Sequence, residues 1–237
     1  MTSPNQPNPS FWKEYFSRQI ADQNLSNTSK LDFSNDRVRF QTYGWMLEAM
    51  GPIVGRSCLD AGCGTGELAR LMACLGAKVS GFDLAEPAIK TLQHNHPEVH
   101  WFTADLTDLD SSEINGPFDV ITASEVLQHV DAPAAIKALW SRVSPGGRLV
   151  AAMPNASCPI VQKTTARFDG NYNGIHIDTL ATTAAELDDC ALFCWRGAGF
   201  IEDQTLLPYG LTPWFDAPCT LEGTPPNRIQ FVIQRAI

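Results

Sequence analysis

Residues 58–70 run Cys-Leu-Asp-Ala-Gly-Cys-Gly-Thr-Gly-Glu-Leu-Ala-Arg, and no other stretch limits the possible folds as strongly. A short apolar segment ends in Asp60. A turn follows with glycine at 62, 64 and 66, and Glu67 opens a run with helical spacing. Strand, glycine turn and helix in that order form a nucleotide-binding element. Glycine lets the backbone turn tightly and come close to a ligand. A dinucleotide fingerprint needs a third glycine at position 67, where this chain has Glu67. Asp60 and Glu67 flank the turn with negative charge. They repel a phosphate but accept a ligand with a cationic amino or sulfonium group.

The rest of the chain repeats the alternation. Strands are expected at Cys58–Ala61, Lys78–Asp83, Val99–Thr103, Phe118–Ala123 and Gly147–Met153. Helices are expected at Glu67–Leu75, Glu86–His94, Leu106–Ile114, Glu125–Val130 and Ala134–Val143. Strand and helix in alternation give a parallel sheet covered on both faces. The ligand then sits at the carboxyl ends of the strands, where the strand order reverses. Residues 154–182 read as a loop-rich insert. A helix is expected at Ala184–Arg196, ended by Gly197 and Gly199. Phe200–Leu207 and Ile229–Arg235 read as the last two strands, with a proline-rich connection between them.

Upstream, Trp12, Tyr15 and Phe16 have helical spacing, as do Phe40, Tyr43 and Met46-Leu47. Two helices joined by a polar linker, Asn24 to Asn35, are expected there. Their aromatic residues either pack these helices on the core or form a lid over the ligand. Residues 1–10 are polar and proline-rich, lack the features of a signal peptide, and read as a disordered lead-in.

The glycine turn resembles motif I of the class I S-adenosylmethionine-dependent methyltransferases, and the resemblance runs over roughly residues 56–153. It implies an α/β, doubly wound, mostly parallel seven-stranded sheet. N-terminal helices (11–50) and acceptor-side insertions at 154–182 and 208–226 would be added to a single domain spanning 11–237. S-adenosyl-L-methionine is the implied cofactor. Asp60 with Gly62, Gly64 and Gly66 would hold its methionine end. Asp83, 23 residues after Asp60, matches the family's ribose acid, and Leu84 would stack on the adenine. Asp105 would accept from the adenine amine, with Leu106 covering the ring. Ser124 falls on the cofactor side. Arg39 or Arg37 would pair with the ligand carboxylate; a plain surface role for Arg39 stays open.

The fourth strand exits through Ala-Ser-Glu-Val-Leu-Gln-His. This resembles the small-molecule branch and lacks the Asn/Asp-Pro-Pro-Tyr motif of enzymes that methylate the exocyclic amines of bases. Glu125 and His129, four apart, would share a helix face. His129 and, in the insert, His176 are the candidate bases, since an imidazole titrates in the useful range. Tyr15, Glu125, Tyr172 and Trp214 are the candidate acceptor-binding residues, suited to a hydrophobic or aromatic acceptor. Transfer to oxygen or nitrogen is expected. The alternatives are a catalytically silent binder of the same cofactor and, less well matched, a nicotinamide-dependent oxidoreductase.

The net charge of −9 and the lack of a basic run disfavour nucleic acid and anionic membrane surfaces as partners. The seven cysteines are scattered and show no metal-ligand spacing, so no metal is expected and the thiols read as reduced. The expected location is cytoplasmic and the expected partner a small-molecule acceptor, for a monomer or a homodimer.

Overall fold

A computed structural model of the chain describes residue 8 and residues 10–15, 33–199 and 225–237, without the side chains of 33–38. Helix α1 covers 10–15, and α2 is Phe33–Met50. Then follow β1 (Ser57–Ala61), α3 (Glu67–Cys74), β2 (Lys78–Asp83), α4 (Glu86–Asn95), β3 (His100–Thr103) and β4 (Phe118–Ser124). The chain goes on through α5 (Ala132–Trp140), β5 (Val143–Pro154), α6 (Pro159–Arg167), α7 (Ile177–Ala185), β6 (Cys190–Ala198) and β7 (Arg228–Arg235).

The seven strands form one sheet in the order β3-β2-β1-β4-β5-β7-β6. The first five strands pair in parallel, while β7 runs antiparallel to both β5 and β6. Both faces are covered, so the central strands carry almost continuous apolar burial: Leu59, Val120, Ile121, Leu149 and Val150 are fully buried. One core lies under α5 and α7, with Ile136, Leu139 and Leu180; the other lies under α2, α3 and α4, with Met46, Met72 and Ile89. Each such side chain contributes roughly 1.5–3 kcal/mol by leaving water. The helices start where the sequence places stops. Gly66 precedes α3 in the left-handed region at φ 75. Asp131 caps α5, its side chain accepting the Ala134 amide at 3.0 Å.

The chain order reverses between β1 and β4, so the segments after these strands face each other across a crevice. The glycine turn leaves β1 on one side, and residues 125–130 leave β4 on the other. A Cβ added to Gly62 would lie 2.3 Å from Val126 Cγ2, so the two segments are in contact, and Gly62 also has φ +67.

Several expectations need correction. Residues 154–182 are not mainly loop, because α6 begins with Pro159 in its first turn and α7 follows. The helix expected at Ala184–Arg196 is the end of α7 followed by strand β6. Cys190 and Cys194 fit a strand as well as a helix, because a period of two also returns to one face every fourth residue. Glu125–Val130 is not an α-helix: Glu125 has φ 54, and only Leu127–His129 forms a short 3-10 turn. Glu125 and His129 therefore do not share a helix face. The helix expected near Leu106–Ile114 shrinks to the 3-10 turn Leu109–Ser111. The linker expected to reach Asn35 gives way to α2 at Phe33. Asn8, placed in the lead-in, donates its amide to Asn171 Oδ1 at 3.0 Å. The strand expected at Phe200–Leu207, Phe16, Trp214 and almost all of the 208–226 insertion lie outside the described residues.

Candidate active site

A cleft opens at the carboxyl ends of β1, β2, β3 and β4 and runs beneath α1. Asp83, Leu84, Asp105, Leu106, Val126 and His129 line it, with Trp12 above.

Of the glycine turn, Gly62 lines the cleft. Gly64, at φ +53, has nothing within 4 Å of a would-be Cβ, so its backbone is open to a ligand. Its amide donates to Asp83 Oδ2 at 2.9 Å. Gly66 serves the packing instead, since a Cβ there would meet Trp101 at 2.6 Å and Leu92 at 2.8 Å. It allows α3 to pack and does not touch the cleft.

Asp83 also accepts the Ala85 amide on Oδ1 at 2.9 Å. Two backbone donors orient the carboxylate, whose remaining lone pairs suit a vicinal diol. The residue ahead of α4 is Ala85, with no side-chain cap, so Asp83 does not cap that helix. Asp105 accepts from the Thr107 amide at 2.8 Å and the Thr107 hydroxyl at 2.7 Å, both on Oδ1. The turn is thus internally tied, and Leu106 is buried beside it.

Asp60 lies beneath the turn and is absent from the cleft wall. It is 2% exposed, and the Thr122 hydroxyl donates to its Oδ1 at 2.8 Å. Burial pushes its pKa up to about 7, and the Asp83 charge adds to the rise; bonds from Thr122 and the Ala69 backbone oppose it.

Helix α2 brings Arg39 and Tyr43 to the same end. Arg39 pairs with Glu67 at 3.1 Å, so the basic group expected to meet a ligand carboxylate holds an acidic partner of the turn. Burial, then the charges of Asp60 and Glu67, push the Tyr43 hydroxyl well above its ordinary range, and it bonds to Glu67. The sequence reading missed Tyr43 as a site residue. The signal was its spacing, four after Arg39 on one helix face.

At the other end, His129 lies under the Trp12 ring, with centroids 4.0 Å apart, and beside Tyr172 at 5.9 Å. Burial pushes its pKa down to about 3, so the imidazole is neutral at physiological pH. Tyr15 and Tyr172 both pack on Phe168. The Trp12 indole donates to the Asn171 carbonyl at 2.7 Å, which fastens α1 to the insert. Neither Trp12 nor Phe168 is among the site residues expected from the sequence; their contacts join segments more than 100 residues apart, which no local pattern reveals.

His176, Ser124 and Glu125 stand apart from the cleft wall. His176 is exposed and shares a 3.2 Å hydrogen bond with Ser157 through Nδ1. Ser124 ends β4, paired with Ala152. Glu125 binds Arg228 of β7 at 2.8 Å. His94 and His100 are exposed, at the opposite end of the strands. Among the described residues no three His, Cys, Asp or Glu side chains gather to hold a metal ion, and no helix is long and apolar enough to cross a membrane.

The sheet order, the glycine turn, Asp83 at the end of β2 and Asp105 just after β3 together define the class I S-adenosylmethionine-dependent methyltransferase fold. A model of the methyltransferase-domain family matches residues 18–191, and the chain belongs to that family. The ubiquinone biosynthesis O-methyltransferase of Thiobacillus denitrificans is 40% identical over 106 residues, which is 43% of this chain and 45% of that protein. The Bordetella pertussis protein of the same name is 38% identical over 109 residues, 44% and 45% of the two chains. The chain thus matches about half the length of these relatives. Among solved structures, magnesium protoporphyrin IX methyltransferase of Synechocystis PCC 6803, with bound SAH, superposes with a TM-score of 0.63 at 18% identity. That match covers 95% of this chain and 99% of the other. An S-adenosylmethionine dependent methyltransferase from Mesorhizobium loti gives a TM-score of 0.58 at 19% identity, covering 83% and 97%.

Proposed function

We propose that the chain transfers a methyl group from S-adenosylmethionine to an oxygen of a small aromatic molecule. The observation that carries this reading is the arrangement of the cleft. A nucleoside site on Asp83 and Asp105 continues into an aromatic box around a buried, neutral histidine. The Gly64 backbone is open where a nucleoside's own atoms must come close, so the residues fit the cofactor.

Asp83 holds the ribose hydroxyls, Asp105 accepts from the adenine amine, and Leu84 and Leu106 cover the ring. Arg39 exchanges Glu67 for the ligand carboxylate, and Glu67 turns to the ammonium group. Asp60 acts from below, fixing the turn through Thr122 and the Ala69 backbone. When bound, S-adenosylmethionine supplies a methyl carbon made electrophilic by its sulfonium. The protein contributes alignment, which places the acceptor oxygen in line with that carbon.

The acceptor site is the place now taken by the Trp12 indole. A flat ring already lies on His129 there, in contact with Tyr15 and Phe168. A phenolic acceptor takes a similar position when α1 releases Asn171. His129, neutral, accepts a hydrogen bond from the acceptor hydroxyl and receives its proton as the oxygen is methylated, although burial makes this imidazole a weaker base than a solvated one. Tyr172, beside His129, and Phe168, packed on Tyr172, lie outside α1 and help keep water away from the reacting oxygen. The likeness to O-methyltransferases over the matched half supports oxygen as the nucleophile.

The test is incubation with methyl-labelled S-adenosylmethionine and paired panels of catechols and arylamines, read by mass spectrometry. The expected product is an aryl methyl ether. Cofactor binding with label found only on nitrogen, or on no panel member, overturns the assignment to oxygen.

A further inference from the structure

Glu125 holds a left-handed backbone, φ 54, which costs a branched or long L-residue stability unless the surroundings fix it. Three contacts of its own, and one made by Gln128, fix it here. Its amide donates to the Ala152 carbonyl at 2.9 Å, extending the β4–β5 ladder. Its carbonyl accepts Gln128 Nε2 at 2.8 Å. The Gln128 carbonyl in turn accepts the Asn173 amide at 2.9 Å. Its carboxylate Oε1 accepts Arg228 Nε at 2.8 Å. Arg228 opens β7, two strands away from β4. Its side chain therefore bridges the end of β5, a span of roughly 10 Å at normal strand spacing. The Arg228 side chain is 21% exposed, so the pair is partly shielded from water.

The turn held this way carries the two residues that join the halves of the cleft. Val126 packs on Gly62 of the glycine turn. His129 donates its amide to the Val126 carbonyl at 3.1 Å and meets Trp12. We propose that Arg228 is a positioning residue. Through Glu125 it locks the exit of β4 in the left-handed turn that seats Val126 against the cofactor cradle and His129 in the acceptor box. The effect on transfer rests on the function proposed above; the effect on the turn does not.

The experiment uses the full chain and two readouts. One is the dissociation constant for S-adenosylhomocysteine by calorimetry. The other is the NMR shift of the His129 ring protons, which the Trp12 ring at 4.0 Å displaces. Arg228→Gln and Glu125→Gln are each expected to weaken binding about tenfold, the order of a lost charge-assisted hydrogen bond. Each is also expected to move the His129 shift toward its solvent value. The double variant should be no worse than either single one, because both break one link. Adding Glu125→Gly to Arg228→Gln should restore the His129 shift, since glycine adopts this backbone without strain. A merely stabilising ion pair is not repaired by a change that leaves the pair broken. Should Arg228→Gln fail to fold, Glu125→Gln against Glu125→Gly makes the same comparison. Wild-type shifts in both single variants, multiplying effects in the double, or no rescue by glycine overturn the proposal. If the wild type binds no S-adenosylhomocysteine, the cofactor assignment fails, and the His129 shifts still decide the role of Arg228.

Discussion

Asp83 accepts the amide of Gly64 at 2.9 Å, so the acid at the end of β2 and the tip of the glycine turn form one rigid unit. Asp83→Ala removes both a ligand contact and the anchor of the cradle. S-adenosylmethionine binding should weaken by about 1–3 kcal/mol, the range for a lost bond to a charged group, with the fold intact. Calorimetry checks the first expectation and circular dichroism the second.

Gly62 and Gly64 share a positive φ but differ in surroundings, and alanine separates the two effects. At Gly62 the new Cβ meets Val126 Cγ2 at 2.3 Å, so strain and overlap add. Gly62→Ala should cost stability by roughly 2–4 kcal/mol. At Gly64 nothing stands within 4 Å. Gly64→Ala should cost only about 1 kcal/mol in stability yet weaken cofactor binding, because the methyl enters the ligand's space. Urea unfolding and calorimetry on both variants test this contrast.

Two buried groups give opposite pH dependences. Asp60 is raised from 3.8 to about 7, so the folded state holds more protons between those values and stability falls as pH rises through them. His129 is lowered from 6.5 to about 3. The unfolded state holds more protons there, and stability falls as pH drops through that window. Where the windows overlap the two slopes oppose each other. Asp60→Asn should expose the His129 slope and His129→Gln the Asp60 slope, in denaturation series from pH 4 to pH 7.

The Trp12 ring lies over His129, with 4.0 Å between centroids. Trp12→Ala should let water reach the imidazole and raise its pKa toward the ordinary value, an NMR titration being the measurement. Loss of the bond to Asn171 should also loosen residues 8–15, seen as faster proteolysis of that segment.

His129→Ala should lower turnover about a hundredfold or more while leaving cofactor affinity near that of the wild type. His176→Ala should change neither, because that ring is exposed and bonded to Ser157. Steady-state kinetics on the methylated acceptor separate the two histidines.

The parallel half of the sheet was readable because each of its elements is local. A strand, a glycine or proline stop and an amphipathic helix recur from Cys58 to Met153. The acids Asp83 and Asp105 were readable for the same reason, as Asp83 closes β2 and Asp105 follows β3 by two residues. The antiparallel edge was not. β6 is mostly exposed, so its alternation carries little contrast between core and solvent, and Cys190 and Cys194 satisfy both periods. Nothing marks Glu125 for a left-handed backbone in the way a glycine would be marked. Its partner Arg228 lies 103 residues away, and Trp12 meets Asn171 across 159. Such pairings belong to the folded topology and leave no trace in local spacing.

β7 is the last strand in chain order, yet it lies between β5 and β6. On a ribosome, the strands from β1 to β6 leave the tunnel first, and the slot beside β5 stays open until β7 arrives, because among the described strands β6 pairs with β7 alone. Arg228 leads β7 into that slot. The nucleoside end of the cleft can therefore take shape early in synthesis, while the turn carrying His129 is locked by one of the final additions to the sheet.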